Sequence, residues 1–200
     1  MSVPFGPKNA WIAVPDISPE ELAAALGFGT LEPAEWEPGV NFCYTTAGRN
    51  YRGVGVFVTP PLGRWTLCVG IPLFELKKGF SAALSARLGG REVQYFATHR
   101  VSEGHVLERA IAGEMTRYFY YCGGDGEEAQ EGEPTPEERA HGFKINPPDG
   151  QSDDDEDYWF ADEDFILAVA GAWSVDPSLI GTDIVAPGPG FTGRADPAGA

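Results

Sequence analysis

The sequence predicts an α+β domain, a mainly antiparallel sheet with helices packed on one face. Three observations lead there. Short runs rich in Val, Ile, Thr, Tyr, Phe and Trp follow one another through Gly- and Pro-marked turns, the pattern of consecutive antiparallel strands. Helix starts are signalled in a few places only, at Ser18-Pro19, Thr135-Pro136 and Asp162, and do not alternate with strands as βαβ units require. A chain of 200 residues, 42% hydrophobic and 12% aromatic, is enough for one substantial core.

Residues 10–14, with Trp11, read as a short strand that Pro15 ends. Ser18 suits an N-cap, Pro19 the first helical position and Glu21 the third, so a helix is expected over 19–26, stopped by Gly27. Residues 31–41 read as an irregular connection, and 42–45 as a short strand. Residues 54–59 and 65–71 are β-branched and apolar on either side of Pro60-Pro61 and Gly63, and are expected to pair as a hairpin. Leu76, Phe80, Ala83, Leu84 and Leu88 have helical spacing within 74–88. Residues 92–99 alternate as a strand, with Val93, Tyr95 and Ala97 on one side and Gln94, Phe96 and Thr98 on the other.

Residues 105–122 fit a helix at some positions. The aromatic run Tyr118-Phe119-Tyr120-Tyr121 favours a hairpin instead, turning at Ala112-Gly113-Glu114. Thr135-Pro136-Glu137-Glu138 repeats the capping pattern and starts a short helix ending near His141. An amphipathic helix is expected over 162–171, with Asp162, Glu163 and Asp164 at its positive N-terminus, and one further turn from Asp176-Pro177 to Leu179. A single domain over 1–186 is expected, with acidic loops at about 123–134 and 146–157 and a flexible Gly/Pro-rich tail over 187–200.

The formal net charge is -16, and it is unevenly spread. Residues 1–124 hold 11 acidic and 11 basic side chains and balance to zero. Residues 125–164 hold 16 acidic side chains against Arg139 and Lys144, which leaves -14. Such a segment repels phosphate and anionic lipid and attracts basic protein surface. It serves equally as a solvated loop that aids solubility. No apolar run is long enough for a membrane helix, and the N-terminus lacks the basic and apolar regions of a secretion signal. Cys43, Cys68 and Cys122 are odd in number and include no C-x-x-C pair, and Cys68 and Cys122, in apolar and aromatic runs, read as buried hydrophobes of a reduced cytoplasmic protein.

No nucleotide-binding glycine loop, nucleophile elbow, zinc-protease helix or EF-hand is present, and Asp149-Gly150-Gln151-Ser152-Asp153 lacks the register of a calcium loop. The histidines and cysteines have no zinc spacing, and no cofactor is expected. His99 and His105 flank a turn. With Glu103, Glu108 or Arg100 they offer a general acid–base group, or else ordinary hydrogen bonds at a strand end. Tyr158-Trp159-Phe160 sit between acidic flanks. They either dock a partner, with aromatics as anchors and charge as steering, or pin the acidic loop to the domain. The candidate partner-binding residues are therefore Asp153, Asp154, Asp155, Glu156, Asp157, Tyr158, Trp159, Phe160 and Asp162.

Three stretches, Val56-Phe57-Val58-Thr59-Pro60-Pro61, Tyr95-Phe96-Ala97-Thr98-His99-Arg100 and Ala170-Gly171-Ala172-Trp173-Ser174-Val175-Asp176-Pro177, give the chain its likeness. It resembles uncharacterised bacterial α+β proteins of the toxin-immunity type. That resemblance implies no residue roles. It agrees with the expectation from charge: a non-catalytic binding protein for a basic protein partner, such as an immunity protein or antitoxin, with no nucleic-acid or membrane partner. The alternatives are a small hydrolase-like enzyme using His99 and His105 with a nearby carboxylate, and a structural or scaffold subunit of a bacterial assembly.

Overall fold

The computed structural model describes residues 3–5, 8–47, 52–123, 127–145 and 159–195. The chain runs β1 (Lys8–Pro15), α1 (Pro19–Ala25), β2 (Glu32–Ala34), α2 (Trp36–Phe42), β3 (Thr46–Ala47), β4 (Arg52–Gly53), β5 (Gly55–Val58) and β6 (Trp65–Val69). A 3-10 turn (Ile71–Glu75) leads to α3 (Phe80–Arg87), β7 (Val93–His99), β8 (Gly104–Ile111), β9 (Glu114–Cys122), β10 (Glu127–Glu131), α4 (Pro136–Ala140) and α5 (Glu163–Trp173). A second 3-10 turn (Pro177–Leu179) precedes β11 (Gly190–Arg194).

Nine strands form one antiparallel sheet in the order β10-β9-β8-β7-β1-β6-β5-β11-β2. The α+β class and the antiparallel sheet expected from the sequence are what the structure has. The helices, however, cover both faces rather than one. β1 shows why. Its Trp11 and Ala13 face a core closed by Trp36 and Val40 of α2 and by Phe165, Ile166 and Val169 of α5. Its Ala10, Ile12 and Val14 face a second core closed by Leu22 and Ala23 of α1, Leu73 of the first 3-10 turn and Leu84 of α3. A strand buried on both sides reads as a continuous apolar run, which is how 10–14 reads.

The hairpin of β8 and β9 forms as expected, with Ile111 opposite Glu114. Its turn is tighter than expected, two residues long, with Ala112 at φ 55 and Gly113 at φ 80. Two successive left-handed residues make the turn whose twist matches the flanking strands. The alternation in β7 is also as expected: Val93, Tyr95 and Ala97 join one core and Phe96 the other.

Five segments differ from expectation. Residues 31–41 hold β2 and most of α2, a helix sustained through Pro38 and Gly39 by burial of Trp36 and Val40. The strand expected over 42–45 is instead the end of α2 and a turn. The helix expected over 74–88 is split, because the Glu108 carboxylate accepts the backbone N–H groups of Gly79 (2.9 Å) and Ser81 (2.8 Å) and starts α3 there. The acidic stretch 123–134 contains the edge strand β10, and the supposed tail contributes β11, which lies between β5 and β2 inside the sheet. The second acidic stretch, 146–157, lies outside the described residues.

Cys43, Cys68 and Cys122 are free and buried. Burial pushes the Cys43 thiol up to about 12 and raises that of Cys68 as well. Among the described residues no helix is long and apolar enough to cross a membrane.

Candidate functional site: an acidic cleft at the start of α5

A polar row crosses the α5 face of the sheet near the strand ends. Asn9 of β1 lies opposite Thr98 of β7, Thr98 opposite His105 of β8, and His105 opposite Tyr121 of β9. All four are buried. Thr98 Oγ1 and His105 Nδ1 share a hydrogen bond of 3.1 Å, and the His105 ring stacks on Tyr121. The Asn9 side-chain oxygen accepts from the Ala10 N–H, while its buried Nδ2 has no partner among the described residues. Burial pushes the His105 pKa down to about 4, opposed in part by the Asp162 carboxylate. The imidazole is therefore neutral at pH 7, and its Nε2 has no hydrogen-bond partner among the described residues.

His105 and Tyr121 form the inner wall of a cleft of about 570 Å³. Its rim comes from the turn after β7, which supplies Arg100 and Glu103, and from the segment entering α5, which supplies Phe160, Asp162 and Glu163. Glu103 stands at φ 48, in the left-handed region that costs a non-glycine residue strain, and its C=O accepts the Gly123 N–H at 3.2 Å. Gly123 has no side chain to displace the Glu103 carboxylate; a Cβ there would come within 2.4 Å of Glu103 Oε2. Asp162 caps α5, accepting the Phe165 N–H at 2.8 Å, and remains exposed. Arg100 donates to Glu163 Oε2 from Nη2 at 3.1 Å and Nε at 3.3 Å. The rim thus carries three carboxylates against one guanidinium, beside an exposed Phe160 ring.

The two aromatics described at the entrance to α5 part company. Trp159 turns inward, packing on Phe143 at 4.8 Å and Phe165 at 5.0 Å, so it anchors the segment to the core. It stays half-buried, and the packing is the pinning role that was the alternative to partner docking. Phe160 faces outward into the cleft, 41% exposed, with its ring 6.1 Å from Tyr121. Asp162 lines the same cleft. The other candidates, Asp153, Asp154, Asp155, Glu156, Asp157 and Tyr158, lie outside the described residues.

His99 and His105 do not meet. His99 pairs with Gly104 and projects from the face opposite His105, where its Nδ1 shares a 2.9 Å hydrogen bond with Ser102 and its ring meets the edge of Phe74. Glu108 also lies on the His99 face, whereas Glu103 and Arg100 border the His105 cleft. The acid–base group proposed from sequence spacing is thus divided by the sheet. Among the described residues no group of three His, Cys, Asp or Glu side chains is placed to hold a metal ion.

Sequence reasoning passed over Arg117 and Glu138, which form an ion pair (2.8 Å) buried on both sides. Glu138 also accepts the Thr135 N–H, while Thr135 Oγ1 accepts the Glu138 N–H. The capping pattern at Thr135 was the available signal, but nothing local pointed to Arg117 as its partner. Comparison of the chain with protein-family models, with curated proteins and with solved structures gave no match.

Proposed function

We propose that this protein is a non-catalytic binding protein for a basic protein partner, most concretely a toxin-neutralising immunity protein or antitoxin. The observation that carries this reading is the cleft at the start of α5. Glu103, Asp162 and Glu163 surround a pocket walled by Phe160 and Tyr121, beside the segment that concentrates the negative charge of the chain. An aromatic wall with carboxylates at its rim suits a lysine or arginine side chain, whose stem packs on the ring while its head meets the acids. The Arg100–Glu163 contact is an instance of a basic head meeting one of these acids. The surrounding acidic charge steers a basic partner toward the cleft.

The test is capture of partners from lysate of the source organism at low and high salt, followed by measured binding of the recovered protein. A stoichiometric basic partner is expected, bound more weakly as salt rises. Asp162→Asn keeps a good N-cap but removes the charge, so it is expected to hold stability and weaken binding. Phe160→Ala and neutralisation of 153–157 are expected to weaken binding as well. Absence of any partner at every salt concentration, or a partner indifferent to all three changes, overturns the reading.

A further inference from the structure

We propose that the groove on the opposite face of the sheet is a binding site for a small organic ammonium ion. The groove, about 450 Å³, lies over β7, β8 and β9 where α3 no longer covers them. Ala97, Gly104 and Val106 make a low floor, and Phe74, Tyr95, Tyr118 and Tyr120 stand around it. Pockets of this size with mainly apolar and aromatic walls and a few converging polar groups are suited to small molecules.

Charge selects the class of ligand. Glu108 lines the groove, is 1% exposed, and forms no ion pair among the described residues; its partners are the backbone N–H groups of Gly79 and Ser81. A buried carboxylate without a cation leaves a local negative field. That field reaches the ring hydroxyls: after burial itself, Glu108 is the next cause that raises the pKa of both Tyr95 and Tyr118. Aromatic faces attract cations through their quadrupole, and a ring of them beside an acid is the chemistry that holds alkylated ammonium groups.

The groove already recruits one cation. The Lys78 ammonium sits over the Tyr118 ring at 5.0 Å and is paired with Glu131 of β10. Lys78 is thereby engaged by Glu131, and Glu108 inside has no cation of its own among the described residues. A free ammonium would fill the remaining space against Tyr120 and Phe74, with its charge toward Glu108. Lys78, a like charge at the rim, limits the affinity.

The probes are choline, its neutral carbon isostere dimethylbutanol, and benzoate as an anion. Each is titrated by calorimetry, with the Tyr118 and Tyr120 ring resonances followed by NMR. Choline is expected to bind saturably and about tenfold more tightly than the neutral isostere, with benzoate weakest. Tyr120→Leu is expected to cut choline affinity severalfold. Lys78→Met, at an exposed position, is expected to raise it. Glu108→Gln is expected to abolish the preference for the cation; because it also perturbs the start of α3, its folding is checked by circular dichroism, and the first two variants decide the matter if it fails to fold. Equal binding of choline and its isostere, preference for benzoate, or no choline binding overturns the proposal.

Discussion

His105 sits between Thr98 and Tyr121 with 3% of its surface exposed. Its burial has a consequence for stability. In the unfolded chain the imidazole takes a proton near 6.5, whereas in the fold it does so only near 4. Between those values the unfolded state binds more protons, so stability is complete above 6.5 and is lost as pH falls toward 4. The loss attributable to this residue is about 2 kcal/mol between pH 7 and 5. Urea unfolding at both pH values is expected to show a smaller loss for His105→Gln than for the wild type by about that amount. Equal losses would mean that His105 titrates as an ordinary surface histidine. The separation of His105 from His99 was within reach of the sequence in principle. Once His99 is set opposite Gly104, the two-residue period of a strand puts His105 on the other face. Spacing alone does not reveal that register.

At the scale of elements, α4 illustrates a helix that cannot stand alone. Five residues are too few for an isolated helix to persist. It is fastened to β9 by Arg117, whose guanidinium pairs with Glu138 and also donates from Nη1 to the Tyr118 and Gly132 carbonyls, both at 3.1 Å. The same guanidinium lies over the Phe143 ring at 5.2 Å. Arg117→Met leaves Glu138 as an unpaired buried charge and is expected to cost about 3–5 kcal/mol. The double variant Arg117→Met with Glu138→Leu is expected to recover much of that loss, because both desolvation penalties disappear together. Chemical denaturation of the two variants and the wild type measures this, and a double variant no more stable than the single one would refute it. Capping patterns made the starts of α1 and α4 legible, because a cap is a local bond spanning three residues, and the acids at 162–164 marked the start of α5. α2 was hidden because Pro38 and Gly39 argue against a helix that only burial of Trp36 and Val40 sustains.

At the scale of the whole molecule, the C-terminal β11 is held between β5 and β2, pairing Phe191 with Val58 and with Pro33. A chain ended at residue 186 would leave β5 as a bare edge and β2 with no neighbour among the described strands. Such a chain is expected to aggregate or to lose cooperative unfolding, as read by size-exclusion chromatography and thermal circular dichroism. A truncated chain that stays monomeric and melts like the full one would show that β11 is dispensable.

The amino-acid sequence by itself determined the α+β class, the starts of three helices, the β8–β9 hairpin, the two faces of β7 and the concentration of acid in residues 125–164. Each of these is encoded within a few neighbouring residues, by side-chain period, capping chemistry or composition. Tertiary structure alone decided that helices cover both faces, that a Gly/Pro-rich segment becomes a strand paired on both sides, that Trp159 turns in while Phe160 turns out, and that the two histidines stand on opposite sides of the sheet. These outcomes rest on which strand lies beside which, and that choice is made by burying surfaces far apart along the chain, a quantity no local pattern carries.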